Sequence, residues 1–491
     1  MLADRRIKIV ATIGPSTSSH ENLERAVRAG MNVARLNFSH GKHSDHLPVI
    51  ESLQKISSEL QAPVAILQDL QGPKIRVGKL KGGKVELKEG DAVFISPDYD
   101  LGEGNKITTD FKELPQVVHE GAKILLDDGL LELKVLKIRG NEVECQVIYG
   151  GILKDRKGIN LPGLPLPVEC MTEKDLDDLE FGLSQNVDYV ALSFVRKGSD
   201  IKKLRSLIEE KNPGIKIVAK IEMLEALDNL EEIISLSDAV MVARGDLAVE
   251  VGQAQLPRVQ KRIIALANEL KKPVITATQM LDSMVENPRP TRAEITDVAN
   301  AVLDGSDALM LSAETASGKY PFKCISTMHE ISMEVEKEGR YFYDIDISDQ
   351  EGAVPETVAA SACLSAKRLN ASAIICLTSS GRTATLISSF RPKSRIIAAT
   401  NKLETLNRLE LVWGIQTFLI QSYKTTDEAM DQVRALLLEY GLAEKGDHVI
   451  LTLGMPVLAG AKTNTVRIYQ LTDSIGALKQ RLKVIPLRCQ S

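Results

Sequence analysis

The sequence predicts an α/β protein whose main domain is a (β/α)8 TIM barrel, with a small all-β domain inserted in it and a second α/β domain after it. Short apolar runs alternate with amphipathic helical segments eight times between residues 7 and about 337. The helical period disappears from Gly72 to about Glu169, where only short β-rich runs and turns occur. Eight β–α units over this length favour a closed barrel over a doubly wound open sheet, which stays the alternative.

The composition is that of an ordinary soluble α/β protein. The 491 residues allow roughly two to four domains, and the net charge of -5 gives no basic surface for nucleic acid. No apolar run reaches the roughly 18 residues of a membrane span. Six scattered cysteines without a CxxC pair are typical of a reducing compartment. The first residues enter a strand almost at once, which leaves no room for a signal or transit peptide, so we expect a cytoplasmic location.

The barrel strands are predicted from buried apolar runs and the helices between them from capping signals. Thr172 with Asp175, and Thr291 with Glu294, form capping boxes at the starts of two helices. The eight predicted strands are Ile7–Ile13, Met31–Phe38, Pro63–Asp69, Val187–Phe194, Ile215–Ile221, Ala239–Ala243, Pro273–Thr276 and Ala308–Leu311.

Turn signals such as Asp128-Gly129 and Gly150-Gly151 separate the predicted strands of the inserted domain. The proline-rich segment Leu161–Pro167 is the hinge by which the chain returns to the barrel. The predicted strands are Lys74–Val77, Ala92–Ile95, Ile124–Leu126, Leu131–Ile138 and Val143–Ile148.

An acidic stretch near residue 345 is the predicted linker to the last domain. The expected boundaries are 1–71 plus 170–340 for the barrel, 72–169 for the insert, 341–355 for the linker and 356–491 for the C-terminal domain. The predicted strands of this last domain are Ala373–Leu377, Arg395–Ala399, Ile415–Ile420, Val449–Leu453 and Thr465–Tyr469.

Polar residues gather at the C-terminal ends of the barrel strands, where the chemistry of this fold lies. Alternation places Arg35, Asn37 and Ser39 on one face of the second strand, and Lys220 with Glu222 on one face of the fifth. The other polar residues at strand ends are Thr12, Asp69, Ser193, Asp246, Thr276 and Thr278.

This set of side chains is typical of an anion site with a metal. The carboxylates of Glu222 and Asp246 suit Mg²⁺, and Lys220 beside them suits developing negative charge. Phosphoryl transfer and enolate stabilisation both fit, and no Walker loop or Gly-x-Gly-x-x-Gly follows a strand. The alternative is a strand-end salt bridge between Lys220 and Glu222, with Asp246 capping a helix.

A second anion site is predicted in the C-terminal domain. Hydroxyl side chains and a glycine lie between a predicted strand and a helix, where free helix N–H groups form an anion nest. An N-cap followed by a tight turn is the alternative for the same residues, which are Thr378, Ser379, Ser380, Gly381, Arg382 and Thr383.

Ten segments carry a resemblance to one family. They are ATIGPS (Ala11–Ser16), MNVARLNFSHG (Met31–Gly41), QGPKIR (Gln71–Arg76), LDDGL (Leu126–Leu130), KGINLPG (Lys157–Gly163), LSFVR (Leu192–Arg196), AKIE (Ala219–Glu222), ARGDLAVE (Ala243–Glu250), ATQMLDSM (Ala277–Met284) and PRPTRAEITDVANAV (Pro288–Val302). Through them the chain resembles the pyruvate kinase family over nearly its whole length.

The resemblance implies transfer of the phosphoryl group of phosphoenolpyruvate to ADP, giving pyruvate and ATP in the last step of glycolysis. It implies a metal, Mg²⁺ or Mn²⁺, held by Glu222 and Asp246, and a Lys220 that neutralises the phosphoryl group. Thr278 would also orient the group or water that protonates the enolate. The remaining implied roles are substrate carboxylate binding by Gly245, Asp246 and Thr278, phosphoryl binding by Arg35, and ADP contacts by Asn37, His40, Arg76 and Lys157.

The resemblance also implies a mobile inserted lid, an allosteric effector phosphate at Thr378–Thr383 and a homotetramer. One departure concerns potassium. Leu70 and Lys74 stand where potassium-dependent members carry threonine and glutamate, whereas Asn37, Ser39 and Asp69, which match potassium ligands, are kept. Our hypothesis is that the ammonium of Lys74 supplies the charge of the ion, so that K⁺ is not required.

Two other functions stay open at this point. A magnesium-dependent barrel lyase or aldolase acting on a pyruvate enolate would explain Glu222, Asp246 and Arg35, but not the inserted domain or Lys157. A non-catalytic sugar-phosphate-binding protein would use the C-terminal nest and would not need the polar groups of the barrel mouth.

Overall fold

The computed structural model describes residues 4–60, 62–339, 353–456 and 461–471. The predicted linker 341–355 lies, through residue 352, outside these described residues, as does the end of the C-terminal domain from residue 472. Within the described part, no helix combines the length and the apolar character that crossing a membrane requires.

The barrel begins with three strands and two helices. The first helix starts where Ser19 Oγ accepts a hydrogen bond of 3.3 Å from the N–H of Asn22, and it ends at Gly30, whose φ of 117° suits a residue without a Cβ. These elements are β1 (Lys8–Thr12), α1 (His20–Ala29), β2 (Val33–Asn37), α2 (His43–Glu59) and β3 (Ala65–Asp69).

The insert forms two small sheets around a hydrophobic core of its own. One sheet pairs two strands, and the other has six strands in the order β11-β7-β8-β9-β5-β6. The elements are β4 (Lys84–Leu87), β5 (Ala92–Ser96), β6 (Lys106–Thr108), α3 (Leu114–Val117), β7 (Lys123–Leu126), β8 (Leu131–Arg139), β9 (Glu142–Tyr149), β10 (Gly151–Lys154) and β11 (Ile159–Asn160).

The predicted strand Lys74–Val77 is wrong. Arg76 forms an isolated bridge with Gly158, and Val77 forms one with Thr109. Because successive residues pair with different segments, no continuous ladder can extend along this stretch.

The barrel is completed after the insert, and its eight strands close in parallel in the order β1-β16-β15-β14-β13-β12-β3-β2. The predicted fold class is therefore confirmed, and both predicted capping boxes form. The elements are α4 (Glu173–Ser184), β12 (Tyr189–Leu192), α5 (Gly198–Lys211), β13 (Lys216–Ile221), α6 (Leu224–Asp228), α7 (Leu230–Leu236), β14 (Ala239–Ala243), α8 (Arg244–Val251), α9 (Leu256–Glu269), β15 (Val274–Ala277), α10 (Arg292–Leu303), β16 (Ala308–Leu311), α11 (Ala313–Ala316) and α12 (Pro321–Glu336).

The faces of the fifth barrel strand separate as its alternation predicts. Ile217, Ala219 and Ile221 pack in the layer between strands and helices, whereas Val218 packs in the barrel interior. Lys220 follows Val218 by two residues, so it belongs to the inward face at the C-terminal end of the strand.

The floor of the barrel, at the N-terminal ends of its strands, is closed by the C-terminal domain. Leu411 of that domain is fully buried in the cluster of barrel-interior residues. Beside it, the hydroxyl of Tyr189 on β12 donates a hydrogen bond of 2.6 Å to the carbonyl oxygen of Arg408. The two domains therefore share one hydrophobic core at this point.

The C-terminal domain is a five-stranded sheet in the order β19-β18-β17-β20-β21, with only β21 antiparallel to its neighbour. Separate apolar clusters cover the two faces of the sheet. The elements are α13 (Val354–Leu369), β17 (Ala373–Leu377), α14 (Arg382–Ser389), β18 (Arg395–Thr400), α15 (Leu403–Leu409), β19 (Ile415–Leu419), α16 (Thr426–Glu439), β20 (His448–Leu453) and β21 (Thr465–Gln470).

Candidate active site

A cavity of about 420 Å³ lies between the mouth of the barrel and the inserted domain. The barrel contributes residues at or just after the ends of five different strands, and the insert contributes Lys74, Arg76, the turn 127–128 and the segment 156–158. Its lining includes Arg35, Asn37, Ser39, His40, Lys74, Arg76, Lys157, Ser193, Phe194, Lys220, Glu222 and Asp246.

Two cations that line this cavity, Arg35 and Lys220, are largely shielded from water and share one buried carboxylate, that of Asp69. Lys220 Nζ donates to Ser193 Oγ at 2.6 Å and lies 3.3 Å from Asp69 Oδ1, while Arg35 Nε donates to Asp69 Oδ2 at 2.7 Å. Burial alone would raise the pKa of Asp69, but Lys220 and Arg35 outweigh it and hold this pKa below its usual value. Burial would lower the pKa of Lys220, but Asp69 and Glu222 reverse this effect and raise it, so the ammonium stays charged.

Glu222 is the buried carboxylate at the end of β13, with 1% of its surface exposed. Its Oε1 accepts a hydrogen bond of 2.6 Å from the N–H of Phe194, a residue held at a φ of 55°. Burial raises the pKa of Glu222 to about 7, against the attraction of Lys220 and with the repulsion of Asp246 adding to it. This carboxylate therefore lacks enough positive charge nearby to be stably ionised.

The second oxygen of Glu222 indicates where that charge would come from. Oε2 has no hydrogen-bond partner among the described residues, and Lys220 Nζ lies 3.5 Å away. Asp246, in the first turn of α8, lines the same cavity. Because Mg²⁺ prefers carboxylate oxygens, the residues present fit the predicted metal. The predicted alternative, a Lys220–Glu222 salt bridge, coexists with this arrangement.

Thr278 lies next to the start of α8, although it comes from the loop after β15. Its Oγ1 accepts a hydrogen bond of 2.9 Å from the N–H of Gly245. Its φ of 71°, followed by a φ of 52° at Gln279, is unusual for residues with a Cβ. The predicted neighbour Thr276 does not reach the mouth, because it is buried and bonded to Ser306 Oγ at 2.8 Å.

The inserted domain supplies cations to the cavity from the opposite side. Lys157 Nζ lies 2.8 Å from Asp127 Oδ1, and Arg76 NH1 donates to the carbonyl of Arg156 at 3.1 Å. Lys74 Nζ lies 4.0 Å from Asp128 Oδ1. The side chains predicted to contact a nucleotide therefore come from both domains of one cavity.

A second cavity, of about 610 Å³, opens beside the first and shares Arg35, Asn37 and His40 with it. Its other walls are largely apolar and come from the loop after β1, the start of α2 and the region 312–317. A pocket with polar groups at one end and apolar walls beyond suits a ligand with a charged tail and a flat, less polar body.

The predicted nest of the C-terminal domain also borders a cavity, of about 230 Å³. Gly381, at a φ of 81°, is the N-cap of α14, and its N–H donates to Thr378 Oγ1 at 2.9 Å. Thr383 is hydrogen-bonded to Thr463. The other lining residues include Ser379, Ser380, Arg382, Tyr423 and Lys462.

Comparisons with known proteins identify the family of the chain and the fold that it shares. The family model described as pyruvate kinase, barrel domain, matches residues 4–325, and that described as pyruvate kinase, alpha/beta domain, matches residues 356–469. Pyruvate kinases of Staphylococcus aureus strains MRSA252 and USA300 are each 44% identical over 96% of this chain and 81% of their own length. A crystal structure of a pyruvate kinase from Cryptosporidium parvum superposes with a TM-score of 0.88, at 39% identity over 95% of this chain and 96% of that chain.

The chain belongs to the pyruvate kinase family. As a member it is a phosphotransferase of glycolysis, and the predicted resemblance is confirmed.

Of the residues that the resemblance assigns to a potassium site, Asn37 and Asp69 are partners in the register of β2 with β3, and Lys74 lines the same cavity as Asn37 and Ser39. Asn37 Oδ1 accepts the N–H of Ser39 at 3.1 Å, and both residues line the active-site cavity. Leu70 is buried in the layer outside the barrel strands. Asp69 is paired with Arg35 and Lys220, and the ion pair of Lys74 is with Asp128 of the insert.

Sequence reasoning assigned no role to three charged side chains of this site. Arg244 is buried and donates to the carbonyl oxygen of Thr278, and Asp297 pairs with Arg244. Arg196 NH1 donates to the carbonyl of Leu166 at 2.6 Å, within the predicted hinge of the insert. Arg196 and Arg244 were visible only as parts of family motifs, LSFVR and ARGDLAVE.

Proposed function

We propose that the chain transfers the phosphoryl group of phosphoenolpyruvate to ADP, giving pyruvate and ATP, with Mg²⁺ and with Mn²⁺ as a possible substitute. The observation that carries this proposal is the ammonium of Lys220, held beside Asp69 and beside a Glu222 whose Oε2 lacks a hydrogen bond. A fixed cation next to an unsatisfied carboxylate suits a phosphorylated, anionic substrate that binds with a divalent metal.

Phosphoenolpyruvate would be held by groups already aligned in the cavity. Lys220 and Arg35, with 13% and 11% of their side chains exposed, would supply two positive charges for the phosphoryl oxygens where little water screens them. Glu222 and Asp246 would hold the metal, which when bound supplies positive charge to the carboxylate and phosphoryl oxygens. The N–H groups of Gly245 and Asp246 at the start of α8 would receive the substrate carboxylate.

The contact between Gly245 and Thr278 supports this carboxylate site. The N–H of Gly245 now donates to Thr278 Oγ1. A carboxylate arriving at the helix start would accept that N–H and release the hydroxyl. Thr278 would then donate to the substrate, or hold the water or group that protonates the enolate at carbon.

ADP would bind across the two adjoining cavities. Asn37 and His40 line both of them, whereas Arg76 and Lys157 face the first from the inserted domain. The diphosphate would lie among these cations, and the nucleoside would enter the pocket with apolar walls. Closure of the inserted domain over the substrates would exclude water that otherwise competes for the phosphoryl group.

The C-terminal nest is proposed as the phosphate site of an allosteric effector. Its hydroxyls, N–H groups and the neighbouring Arg382 and Lys462 suit one phosphate. An activation screen with fructose 1,6-bisphosphate, AMP, ribose 5-phosphate and glucose 6-phosphate tests the effector proposal, and no response to any of them contradicts it.

We further propose, following the family resemblance, that the protein is a cytoplasmic homotetramer. We also propose that its activity does not require K⁺.

The reaction is tested by supplying phosphoenolpyruvate, ADP and MgCl₂ and coupling pyruvate formation to lactate dehydrogenase. We expect pyruvate and ATP to form in equal amounts and to require both substrates. The second candidate is a lyase or aldolase that stabilises a pyruvate enolate. The only feature that favours it is the presence of two carboxylates, Glu222 and Asp246, in one cavity. Such an enzyme would release pyruvate from a larger 2-oxo acid by carbon–carbon cleavage and would form none from phosphoenolpyruvate and ADP, and that outcome would contradict our proposal.

A further inference from the structure

Arg244, at the junction of β14 and α8, uses all its guanidinium nitrogens on one loop and one helix. Nε donates to the carbonyl oxygens of Ala277 and Thr278, each at 3.2 Å, and NH2 donates to that of Thr278 at 2.6 Å. NH1 lies 2.9 and 2.8 Å from the two carboxylate oxygens of Asp297 on α10. The side chain has 8% of its surface exposed, so these contacts are shielded from water.

The loop that Arg244 holds has an uncommon conformation. Thr278 and Gln279 are consecutive residues with φ values of 71° and 52°. A β-branched side chain rarely adopts the left-handed region, and it persists there only when surrounding contacts fix it. The carbonyl bonds from Arg244 and the N–H bond from Gly245 to Thr278 Oγ1 are such contacts.

Two adjacent residues therefore hold the two ends of Thr278. Arg244 fixes its backbone carbonyl, and the next residue, Gly245, donates to its hydroxyl until a substrate carboxylate takes that N–H. The same junction continues into Asp246, which lines the active-site cavity. Movement of the Thr278 peptide would displace the hydroxyl relative to the start of α8.

We propose that Arg244 is a positioning residue that acts through Thr278. It keeps the Thr278 peptide in its left-handed conformation, so that the hydroxyl faces the substrate carboxylate and the carbon that is protonated. Asp297 acts one step further away, since it orients the guanidinium. This inference rests on the proposed function, because it explains what holds Thr278 in place for the protonation step of that reaction.

Only arginine can make this set of contacts. Its planar fork reaches two carbonyl oxygens and a carboxylate at once, whereas the ammonium of lysine is a single point on a flexible stem. Arg244→Lys therefore keeps the charge beside Asp297 and loses the fork that fixes Thr278.

The test measures two reactions on the full chain. One is phosphoryl transfer from phosphoenolpyruvate to ADP; the other is exchange of the pyruvate methyl protons for deuterium in D₂O with Mg²⁺ and ATP, followed by NMR. We expect Arg244→Lys to lower kcat and the exchange rate by about tenfold or more each, with the KM for ADP within about twofold of wild type. Thr278→Ala should show the same pattern.

A double-mutant cycle separates positioning from general damage. If Arg244 acts through Thr278, Arg244→Lys combined with Thr278→Ala should be no slower than Thr278→Ala alone. The matched control is Arg391→Lys, since Arg391 is also buried, donates to the carbonyl of Gly305 and pairs with Asp307, far from the mouth. The control should leave both rates near wild type.

Three results would overturn the inference: wild-type rates in Arg244→Lys, additive losses in the cycle, or equal losses in Arg391→Lys. If Arg244→Lys does not fold, Asp297→Asn replaces it in the cycle with Thr278→Ala. A loss of rate that is smaller than that of Thr278→Ala and not additive with it supports the inference, whereas wild-type rates oppose it. Wild-type chain that makes no ATP contradicts the proposed function instead, and the two failures are thereby distinguished.

Discussion

Lys220 Nζ lies 3.3 Å from Asp69 Oδ1, although the two residues belong to barrel strands that are not neighbours. The strand between them, β12, leads into Ser193, whose hydroxyl accepts a hydrogen bond from the same ammonium. A cation and its counter-charge from separate strands meet only when the barrel closes in the correct register. The ammonium of Lys220 is therefore already in place before an anionic substrate would bind, because folding itself fixes its position.

Lys220→Met should reduce kcat by about 10³-fold, because it removes a buried cation that the phosphoryl group needs in the transition state. Steady-state assays with phosphoenolpyruvate and ADP measure the loss. Effector binding at the C-terminal nest should persist, which calorimetry can verify.

Lys216→Met is the matched control for that variant. Lys216 lies on the same strand, but at its other end and paired with Asp238. Its kcat should stay near wild type. Full activity in Lys220→Met would show that the site has been assigned wrongly.

Binding of Mg²⁺ should weaken as the pH falls through the pKa of Glu222, which burial raises to about 7. Below that pH the carboxyl holds a proton that must leave before the metal binds, so each unit of pH should cost about tenfold in affinity. Calorimetry of Mg²⁺ binding between pH 6 and pH 8 measures this dependence.

Glu222→Gln should bind Mg²⁺ weakly and without that pH dependence, because it has no proton to lose in this range. A wild-type affinity that stays constant from pH 8 to pH 6 would exclude Glu222 as the titrating ligand.

Activity should not require K⁺. We expect full turnover in tetramethylammonium buffer free of sodium and potassium, because Lys74 already brings a positive charge to the cavity. Leu70→Thr with Lys74→Glu should create a requirement, with K⁺ activating by about tenfold or more, since the new carboxylate would face Asp128 without a cation.

Lys79→Glu is the control for the charge change, as Lys79 is an exposed residue of the same segment. It should leave the ion requirement unchanged. Strong activation of the wild-type chain by KCl would contradict the role given to Lys74.

Gly381→Ala should abolish activation by the effector while basal turnover persists. The new methyl group would lie 2.9 Å from Leu409 Cδ2, at a φ of 81°, so the nest must shift. The effector identified in the screen is titrated into both proteins, and its activation curve and its Kd are measured. We expect its Kd to rise by more than about tenfold in the variant.

Gly441→Ala provides the comparison, because Gly441 also has a positive φ, of 64°, but open space around a Cβ. It should keep the effector response. If both variants respond like wild type, the effector binds elsewhere.

Patterning predicted the parts of the fold that depend on burial alone. The alternation through Val218, Lys220 and Glu222 correctly separated the two faces of β13. A shift of one residue would turn every side chain to the other face, so a strand with a buried face must keep a strict pattern, and that pattern can be read from the sequence. The capping box at Thr172 was readable because both its partners lie within one turn.

Contacts between distant segments were not readable from one sequence. Arg244 and Asp297 are 53 positions apart, and nothing in the local pattern pairs them. Lys74 was expected to replace an ion near Asn37 and Ser39, and it lines the same cavity, but its ion pair with Asp128, 54 positions along the chain, has no signal in the local pattern. The positive φ of Thr278 also has no signal, since glycine is the residue that normally marks it.

Leu411 gives the barrel a dependence on the rest of the chain. Since its side chain belongs to the apolar cluster of the barrel interior, a fragment ending near residue 340 would lose one fully buried member of that cluster. The barrel therefore depends on the C-terminal domain for part of its buried apolar surface. In a chimaera with a foreign C-terminal domain, that domain must supply a side chain that packs against the barrel floor as Leu411 does. Otherwise the barrel loses stability although its own sequence is unchanged.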